Sequence, residues 1–490
     1  MSKRLFLILG PLSFVLIQLF VSPEGLSPQA VSILAITVWM AIWWVSEAVP
    51  IAITSILPLV LFPVTGAMDM KATAAPYSRP IIYIFMGGFM IALAMEKWNL
   101  HRRIALSIIA AVGTNMKQIV WGFVLAAGTL SMWISNTATT VMMLPIGLAI
   151  VSQFIVLGKD AGLTDDVLDN FSKALILSIA YSASIGGMAT LVGTPTNLVF
   201  IGFVEETYQA ELSFAKWMLL GGPITAILWV VTWWHLTHNA FPLSGKRIAG
   251  SKQIIQDQLR KLGKISYEEK WVMAVFATVA LAWITRKYIL NPYLPGINDT
   301  SIAMAGATVL FVIPSKEKGQ YLMDWPTALK LPWGVLLLFG GAFAIAAGFD
   351  QTGLAQWMGE KLSLMKGTPY IAVLSVVVTM VNFLTEIAQN MATCALMMPV
   401  LSELSVNLGV HPYALMVSAT IASSCAFMLP VATAPNAIVF GSGMIKMKDM
   451  VRAGFLLNIL SILIIILFSY FLLPHIWGIE VYEPTGVFAK

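Results

Sequence analysis

The 490-residue chain is too apolar for a soluble domain, since hydrophobic residues make up 58% of it and charged residues only 11%. Soluble domains have roughly 45–50% hydrophobic and about 25% charged residues. The formal net charge of +5 belongs to the loops, so we assign it to cytoplasmic and interfacial positions and predict no nucleic-acid partner. The composition excludes a soluble core and predicts a multi-pass protein surrounded by membrane lipid.

Tracing the apolar segments along the chain predicts eleven membrane crossings. Lys3 and Arg4 precede the first segment, which we interpret as a retained helix because it lacks a small-residue cleavage site. We predict a plasma (inner) membrane protein, and the positive-inside rule predicts a cytoplasmic N-terminus and an external C-terminus. The predicted crossings are 5–21, 28–47, 51–66, 80–95, 172–204, 216–239, 271–288, 299–314, 333–349, 411–445 and 453–474.

Two further apolar intervals, 118–157 and 368–407, do not fit as single crossings. Each is about as long as two short helices, so we predict two re-entrant helical hairpins. Their tips would be the polar triplets centred on Asn136 and Asn390. The crossings 172–204 and 411–445 are also too long for one simple span, and glycine and proline near residues 193 and 432 predict a break within each.

These unusual segments occur twice. SMWISNTATTVMMLP at 131–145 returns as TEIAQNMATCALMMP at 385–399, and GTPTNLVF at 193–200 returns as ATAPNAIV at 432–439. Acidic residues follow the first copy and basic residues follow the second, so the positive-inside rule predicts that the repeat is inverted. Polar, broken helices at matching positions of two halves indicate a transporter binding site.

The fold class is therefore an all-α polytopic membrane protein in five parts. We predict first-half scaffold helices, first-half transport elements, a cytoplasmic linker, second-half scaffold helices and second-half transport elements including the last helix. Their boundaries are 1–103, 104–240, 241–270, 271–350 and 351–490.

The broken helices define the chemistry that the site can perform. A helix that begins at a hairpin tip presents free N–H groups and roughly +0.5 charge, which suits an anion. A helix that ends there presents carbonyl oxygens, which suit sodium. No lysine or arginine lies near the tips in sequence, so we expect co-bound cations to offset the charge of the anion. A channel would need a continuous polar path, and the apolar segments offer no nucleophile with a base, so we predict a carrier and not an enzyme.

Five motifs in order resemble the divalent anion/sodium symporter family over nearly the whole chain. They are the SNTATT tip, the GTPTN and ATAPN segments, WWVSEAVPI at 43–51 and LPWGVLLLFGG at 331–341. The resemblance implies a homodimeric elevator-type carrier, with scaffold and transport domains, that moves di- or tricarboxylates or sulfate with sodium and needs no organic cofactor. We expect sodium-coupled uptake of a C4 dicarboxylate such as succinate; the alternatives are a sodium/sulfate symporter and a sodium-independent dicarboxylate exchanger.

The resemblance also implies site residues. The first sodium site would use Ser131, Ser135, Asn136 and Gly193, and the second would use Thr385, Ala388, Asn390 and Ala432. The substrate would contact Asn136, Thr137, Thr194, Gln389, Asn390, Met391 and Thr433.

The second tip departs from the family pattern, which repeats Ser-Asn-Thr. Gln389 replaces the serine and Met391 replaces the threonine. Losing a hydroxyl next to the anion is expected to alter substrate preference. The role of Glu386 is also left open between two alternatives. A carboxylate at this depth serves either in structural pairing or in the coupling of cations or protons.

Overall fold

The computed structural model describes residues 3–243, 251–317, 319–362 and 367–482. Within these ranges the fold is helical, and the β-structure consists of one isolated bridge between Pro314 and Tyr321. The helices are α1 Lys3–Phe20, α2 Pro28–Ser46, α3 Ile51–Thr54, α4 Leu57–Val64, α5 Met70–Ala74, α6 Pro80–Lys97, α7 Leu100–Val112, α8 Met116–Ser131, α9 Asn136–Asp160, α10 Asp165–Gly187, α11 Pro195–Tyr208, α12 Phe214–Trp234, α13 Ser251–Lys261, α14 Tyr267–Thr285, α15 Asp299–Val312, α16 Trp325–Ala328, α17 Trp333–Gln351, α18 Leu354–Leu362, α19 Tyr370–Leu384, α20 Asn390–Leu408, α21 Pro412–Ser423, α22 Ala434–Gly441, α23 Met447–Leu467 and α24 Leu473–Trp477. A 3-10 turn (Ala75–Ser78) precedes α6, and π-helical turns extend α12, α14 and α23.

Nine helices in the described part of the chain are long and apolar enough to cross a membrane. Seven of them coincide with predicted crossings. The predicted crossings 51–66 and 299–314 correspond to shorter apolar helices, Ile51–Val64 and Asp299–Val312. The remaining two long helices, α9 and α20, belong to the predicted hairpins. The all-helical, multi-pass prediction is confirmed, whereas the count of eleven crossings stays a prediction.

Both predicted hairpins consist of two helices joined at the polar triplet. The first has α8 and α9 around residues 132–135, and the second has α19 and α20 around residues 385–389. Their arms are unequal, contrary to the prediction of two short helices, because α9 has 25 residues and is therefore about 37 Å long. The helix continues through Gly158 and Lys159 and ends just before Gly162, whose φ is +74°.

The two predicted helix breaks are present. In the first half α10 ends at Gly187 and α11 begins at Pro195, and in the second half α21 ends at Ser423 and α22 begins at Ala434. Proline occupies the first turn of α11 and of α22, where its missing N–H costs nothing because that N–H has no helical partner. The predicted broken helix 172–204 begins earlier and ends later than predicted, at Asp165 and Tyr208.

The repeated elements pack reciprocally. The α22 helix packs on α9 and α10, and its counterpart α11 packs on α20 and α21. The last helices of the two copies are antiparallel, because His235 Nε2 after α12 lies 2.9 Å from the Ala453 oxygen near the start of α23, and Trp477 Nε1 donates to the Lys216 oxygen near the start of α12. Equivalent helices therefore run in opposite directions, as expected of an inverted repeat.

The predicted boundaries of the five parts do not all coincide with helix ends. The boundary after residue 103 falls inside α7, and the boundary after residue 270 falls inside α14. Of the predicted linker, residues 244–250 lie outside the described residues, and α13 packs against α7 and α9. Loops at 98–99 and 113–115 are the natural limits of the connecting helix α7.

At one end of the molecule, which we call the basic end, ion pairs join neighbouring helices without linking predicted scaffold helices to predicted transport elements. Lys97 pairs with Asp324 at 2.7 Å, and Arg103 pairs with Glu269 at 2.8 Å. Lys173 bridges Asp169 and Asp449, at 2.8 and 3.1 Å. This last bridge places the acidic segment 160–169 beside the start of α23. Lys173 thereby neutralises part of the negative charge of that segment.

At the opposite end, ion pairs join predicted scaffold helices to predicted transport elements. Arg79 before α6 pairs with Glu206 on α11. Arg286 after α14 pairs with Glu211, at 2.5 Å, and with Asp299, at 2.7 Å. The Asp299 carboxylate also accepts a hydrogen bond of 2.9 Å from the backbone N–H of Phe214, the first residue of α12. The two sets of helices are thus fastened together at this end.

Candidate functional site

The first hairpin tip brings two predicted cation ligands into contact. Ser131 ends α8 and is fully buried, and its hydroxyl donates to Asn136 Oδ1 at 2.6 Å. Ser135 caps α9 by accepting from the Ala138 N–H at 3.1 Å. The tip therefore combines a hydroxyl, an amide oxygen and the N-terminus of a long helix.

The second tip repeats this arrangement with different residues. The Thr385 hydroxyl lies 2.7 Å from Asn390 Oδ1 and 2.8 Å from the Ser423 carbonyl oxygen. Gln389 precedes α20 where Ser135 precedes α9, but its side chain does not cap the helix. Its buried Oε1 has no hydrogen-bond partner among the described residues. The first N–H groups of α20 are thus not satisfied by Gln389 and remain directed toward the tip.

At each helix break, an asparagine at the same position of the repeat donates hydrogen bonds to backbone carbonyl groups. Asn197 Nδ2 donates to the carbonyl oxygens of Gly187, at 3.2 Å, and Thr190, at 2.7 Å. Asn436 Nδ2 donates to the equivalent oxygens of Ala426, at 3.0 Å, and Leu429, at 3.1 Å. These bonds satisfy carbonyl groups that the interrupted helices leave free, which is required inside a membrane protein. Sequence analysis missed this role, although the repeated final Asn of GTPTN and ATAPN signals it.

The hairpin tip is tied to the broken helix differently in the two halves. In the first half the Thr190 hydroxyl donates to the Met132 carbonyl oxygen. In the second half the Glu386 carboxylate, 3% exposed, accepts from the N–H groups of residues 427, 428 and 429 at 2.7, 2.9 and 3.0 Å. Asn458 Nδ2 adds a fourth bond at 2.7 Å. Of the two roles left open for Glu386, this geometry favours structural pairing.

Two glycines allow the oxygens of the first predicted cation site to approach one another. A Cβ added to Gly193 would lie 2.5 Å from the Gly187 oxygen and 3.0 Å from the Met132 oxygen. A Cβ added to Gly187 would lie 2.5 Å from Asn136 Oδ1. Side chains at either position would therefore occupy the space between the oxygens. Gly187 was missed in the sequence because its glycine pair resembles ordinary close packing of helices.

All seven predicted substrate residues line one cavity of about 590 Å³. This volume falls within the range of ordinary small-molecule sites. Ser135 and Ala432 also line the cavity, whereas the other predicted cation ligands lie behind it and are buried: Ser131, Gly193, Thr385 and Ala388. The opposite wall comes from α6 and from the segment before and within α17. The two tips and the two helix breaks thus meet at one place, although equivalent elements of the two halves are more than 200 residues apart in the chain.

The same cavity contains two charged side chains that sequence analysis did not associate with the site. Glu96 at the end of α6 and Lys330 before α17 both line it and both are exposed. No pattern in the sequence signals either residue, because the fold alone brings them opposite the tips.

A family model described as the sodium:sulfate symporter transmembrane region matches residues 2–477. The chain belongs to this family. The resemblance identified from the five motifs is thereby confirmed. Within the family, the chain is 45% identical over 482 residues to SdcS of Staphylococcus saprophyticus, named as a sodium-dependent dicarboxylate transporter, with 98% of this chain and 93% of that protein covered. It is 44% identical to the Staphylococcus aureus protein of the same name, with 98% and 92% covered.

Two solved structures share the fold at low sequence identity. The YdaH transporter of Alcanivorax borkumensis has a TM-score of 0.56 and 13% identity, covering 97% of this chain and 98% of that chain. MtrF of Neisseria gonorrhoeae, reported with a class of antimetabolite efflux pumps, has a TM-score of 0.54 and 12% identity, covering 98% and 95%. At these identities the similarity concerns the fold alone.

Proposed function

We propose that this member of the family is a secondary active transporter that couples the uptake of a C4 dicarboxylate, such as succinate, to sodium. The observation that supports this most is the convergence of two equivalent tips on one cavity. Each tip offers a helix N-terminus for a carboxylate and a buried hydroxyl–amide oxygen pair for a cation. Two such sites facing each other suit an anion with a carboxylate at each end, and the names of the 44–45% identical relatives agree with this substrate class.

Sodium is cargo in this proposal, and the donor set fits it. The first site offers the oxygens of Ser131 and Asn136 beside the backbone oxygens of Met132, Gly187 and Gly193, and the second offers Thr385 and Asn390 with the Ala388 and Ala432 backbone. All of these donors are neutral oxygens of the kind that coordinate sodium in carriers with broken helices. The bound cations would offset the anion charge, so each cargo would favour binding of the other.

Sodium dependence in proteoliposomes is the decisive experiment. We expect uptake of labelled succinate under an inward sodium gradient, and no uptake when choline replaces sodium, because the anion would then lack its compensating charge. Excess fumarate should compete and excess sulfate should not, since sulfate is too small to reach both tips at once. Equal uptake in choline would indicate the exchanger, and competition by sulfate alone would indicate the sulfate symporter.

We further propose that the basic end is cytoplasmic, which follows from the lysines and arginines collected there. Glu96 and Lys330, which line the cavity, are near Lys97 and Asp324 at that end. The cavity therefore opens to the cytoplasm, and the ion pairs at the opposite end close it from outside. In the proposed elevator motion the hairpins, α10–α12 and α21–α23 slide against the remaining helices, which would also form the homodimer.

Labelling of single cysteines tests this orientation. Ala210→Cys, after α11, should react with an impermeant thiol reagent added outside intact cells, and Lys448→Cys, at the start of α23, should react only after the membrane is opened. The background is low because Cys394 and Cys425 are both fully buried. Labelling of both positions from one side would contradict the inverted orientation of the two halves.

A further inference from the structure

Lys330 and Glu96 are the charged side chains among the described residues that line the cavity. The tips on the opposite wall are neutral, and the wall around the two charges is apolar: Phe85, Phe89, Ala92, Leu93, Pro332 and Val335. Charges in a cleft with apolar walls act over longer distances than charges on an open surface. An anion that crosses the opening of the cavity, which we call its mouth, is therefore attracted by Lys330 and repelled by Glu96.

The segment that carries Lys330 is fastened to the end of α6. The Lys97 ammonium binds the Asp324 carboxylate at 2.7 Å and the Tyr321 oxygen at 3.1 Å, and Trp98 Nε1 donates to the Leu322 oxygen at 2.7 Å. Lys97 and Thr327 hold the pKa of Asp324 down at about 2. The Lys97–Asp324 ion pair, which we call the clamp, therefore stays charged at any physiological pH.

The clamp continues to Lys330 itself. Asp324 caps α16 by accepting from the Thr327 N–H at 2.8 Å, and the Lys330 N–H in turn donates to the Thr327 oxygen at 3.0 Å. The Lys330 ammonium makes no ion pair or hydrogen bond within the described part of the chain. The backbone is thus fixed while the charge stays available to a ligand.

We propose that Lys330 forms an anion subsite at the cytoplasmic mouth of the cavity, where a dicarboxylate pauses between the tips and the cytoplasm. Glu96 carries the opposite charge, so it repels the anion and limits how tightly the departing anion is retained. The subsite exists only while the cavity faces Lys330, because in the proposed elevator motion the tips move away from this wall when they face outward. The inference rests on the proposed function and adds that the two faces of the carrier bind the anion differently.

Succinate transport from each face separately tests the subsite. In inside-out membrane vesicles with sodium present, Lys330→Gln should raise the KM for succinate roughly three- to tenfold, and Glu96→Gln should lower it, since each removes one charge from the mouth. In right-side-out vesicles the KM of both variants should equal that of the wild type. Lys330→Arg should restore the wild-type KM in inside-out vesicles, because the charge is retained.

Two controls separate an electrostatic effect from a structural one. Lys270→Gln removes an exposed lysine of α14 at the same end of the molecule but outside the cavity, and should leave the KM unchanged at both faces. The Lys330→Gln effect should shrink as choline chloride is raised at constant sodium, because exposed charges are screened over about 8 Å at physiological salt.

The outcomes are distinguishable. An unchanged KM in Lys330→Gln inside-out vesicles, an equal change at both faces, or an effect that high salt leaves undiminished would overturn the subsite while sodium-driven succinate transport by the wild type still supported the proposed function. Absence of that transport in the wild type would overturn the proposed function and the subsite with it.

Discussion

Replacing Asn136 or Asn390 by alanine is expected to reduce sodium-driven succinate uptake by at least about a hundredfold. Each asparagine lies at the start of a helix, lines the cavity and contacts a buried hydroxyl, so the same amide would serve both the cation and the anion. The loss of two interactions with charged cargo, at about 1.5–3 kcal/mol each, amounts to at least that factor. The measurement is initial uptake in proteoliposomes at saturating sodium.

Two controls separate a loss of the site from a loss of folding in this experiment. Asn407→Ala removes an asparagine from the same helix as Asn390, where its Nδ2 donates to the Glu403 oxygen at 2.9 Å away from the tips, and uptake should stay near the wild-type rate. The three variants should elute at the same volume as the wild type in detergent, because neither tip asparagine belongs to the hydrophobic core. Wild-type rates in either tip variant would refute the assigned site.

The double change Gln389→Ser with Met391→Thr is expected to raise the affinity for succinate about ten- to a hundredfold. Both side chains line the cavity, and the Gln389 Oε1 is buried without a partner in the described structure. The new serine can cap α20 as Ser135 caps α9, and the new threonine offers a hydroxyl to the anion. One hydrogen bond to a charged group, on the order of 1.5–3 kcal/mol, corresponds to this gain.

Competition assays with succinate, fumarate and malate would measure the change. The sodium dependence should survive, because Thr385, Ala388, Asn390 and Ala432 are untouched. A pair of single variants separates the two contributions, with Gln389→Ser testing the helix cap and Met391→Thr testing the hydroxyl. An unchanged ranking of the three dicarboxylates would show that residues 389 and 391 do not face the anion.

The sequence predicted the convergence of distant segments because the repeat preserves the residues that meet. Asn136 and Asn390, and likewise Thr194 and Thr433, keep their identity in both copies, and each pair lines the same cavity. The repeat pointed to the two asparagines, and the family resemblance supplied the two threonines. The asparagines Asn197 and Asn436 were equally visible but were missed, because their role is to bind backbone carbonyls that only the broken helices expose.

The sequence could not predict features that depend on contacts between dissimilar elements. Lys330 follows the short helix α16, and the clamp between Lys97 and Asp324 helps to hold it on the wall opposite the tips. The unequal arms of the first hairpin also escaped prediction, since an apolar run determines that a helix forms but not where it ends. Three of the four hydrogen bonds of Glu386 arise because the backbone turn at 427–429 lies against the second tip, and the fourth comes from Asn458 on α23. Periodicity encodes neither contact.

The ion pairs at the closed end have a consequence for the speed of the carrier. On the proposed elevator mechanism, turning the site outward requires the contacts of Arg79 with Glu206, of Arg286 with Glu211 and of Asp299 with the Phe214 N–H to break together. Arg286 and Asp299 are almost fully buried, at 4% and 6% side-chain exposure, so dissolved salt screens the contact of Asp299 with the Phe214 N–H little. The empty carrier would therefore rest facing the cytoplasm, and its maximal turnover would depend on how often these contacts open more than on how tightly it binds its cargo.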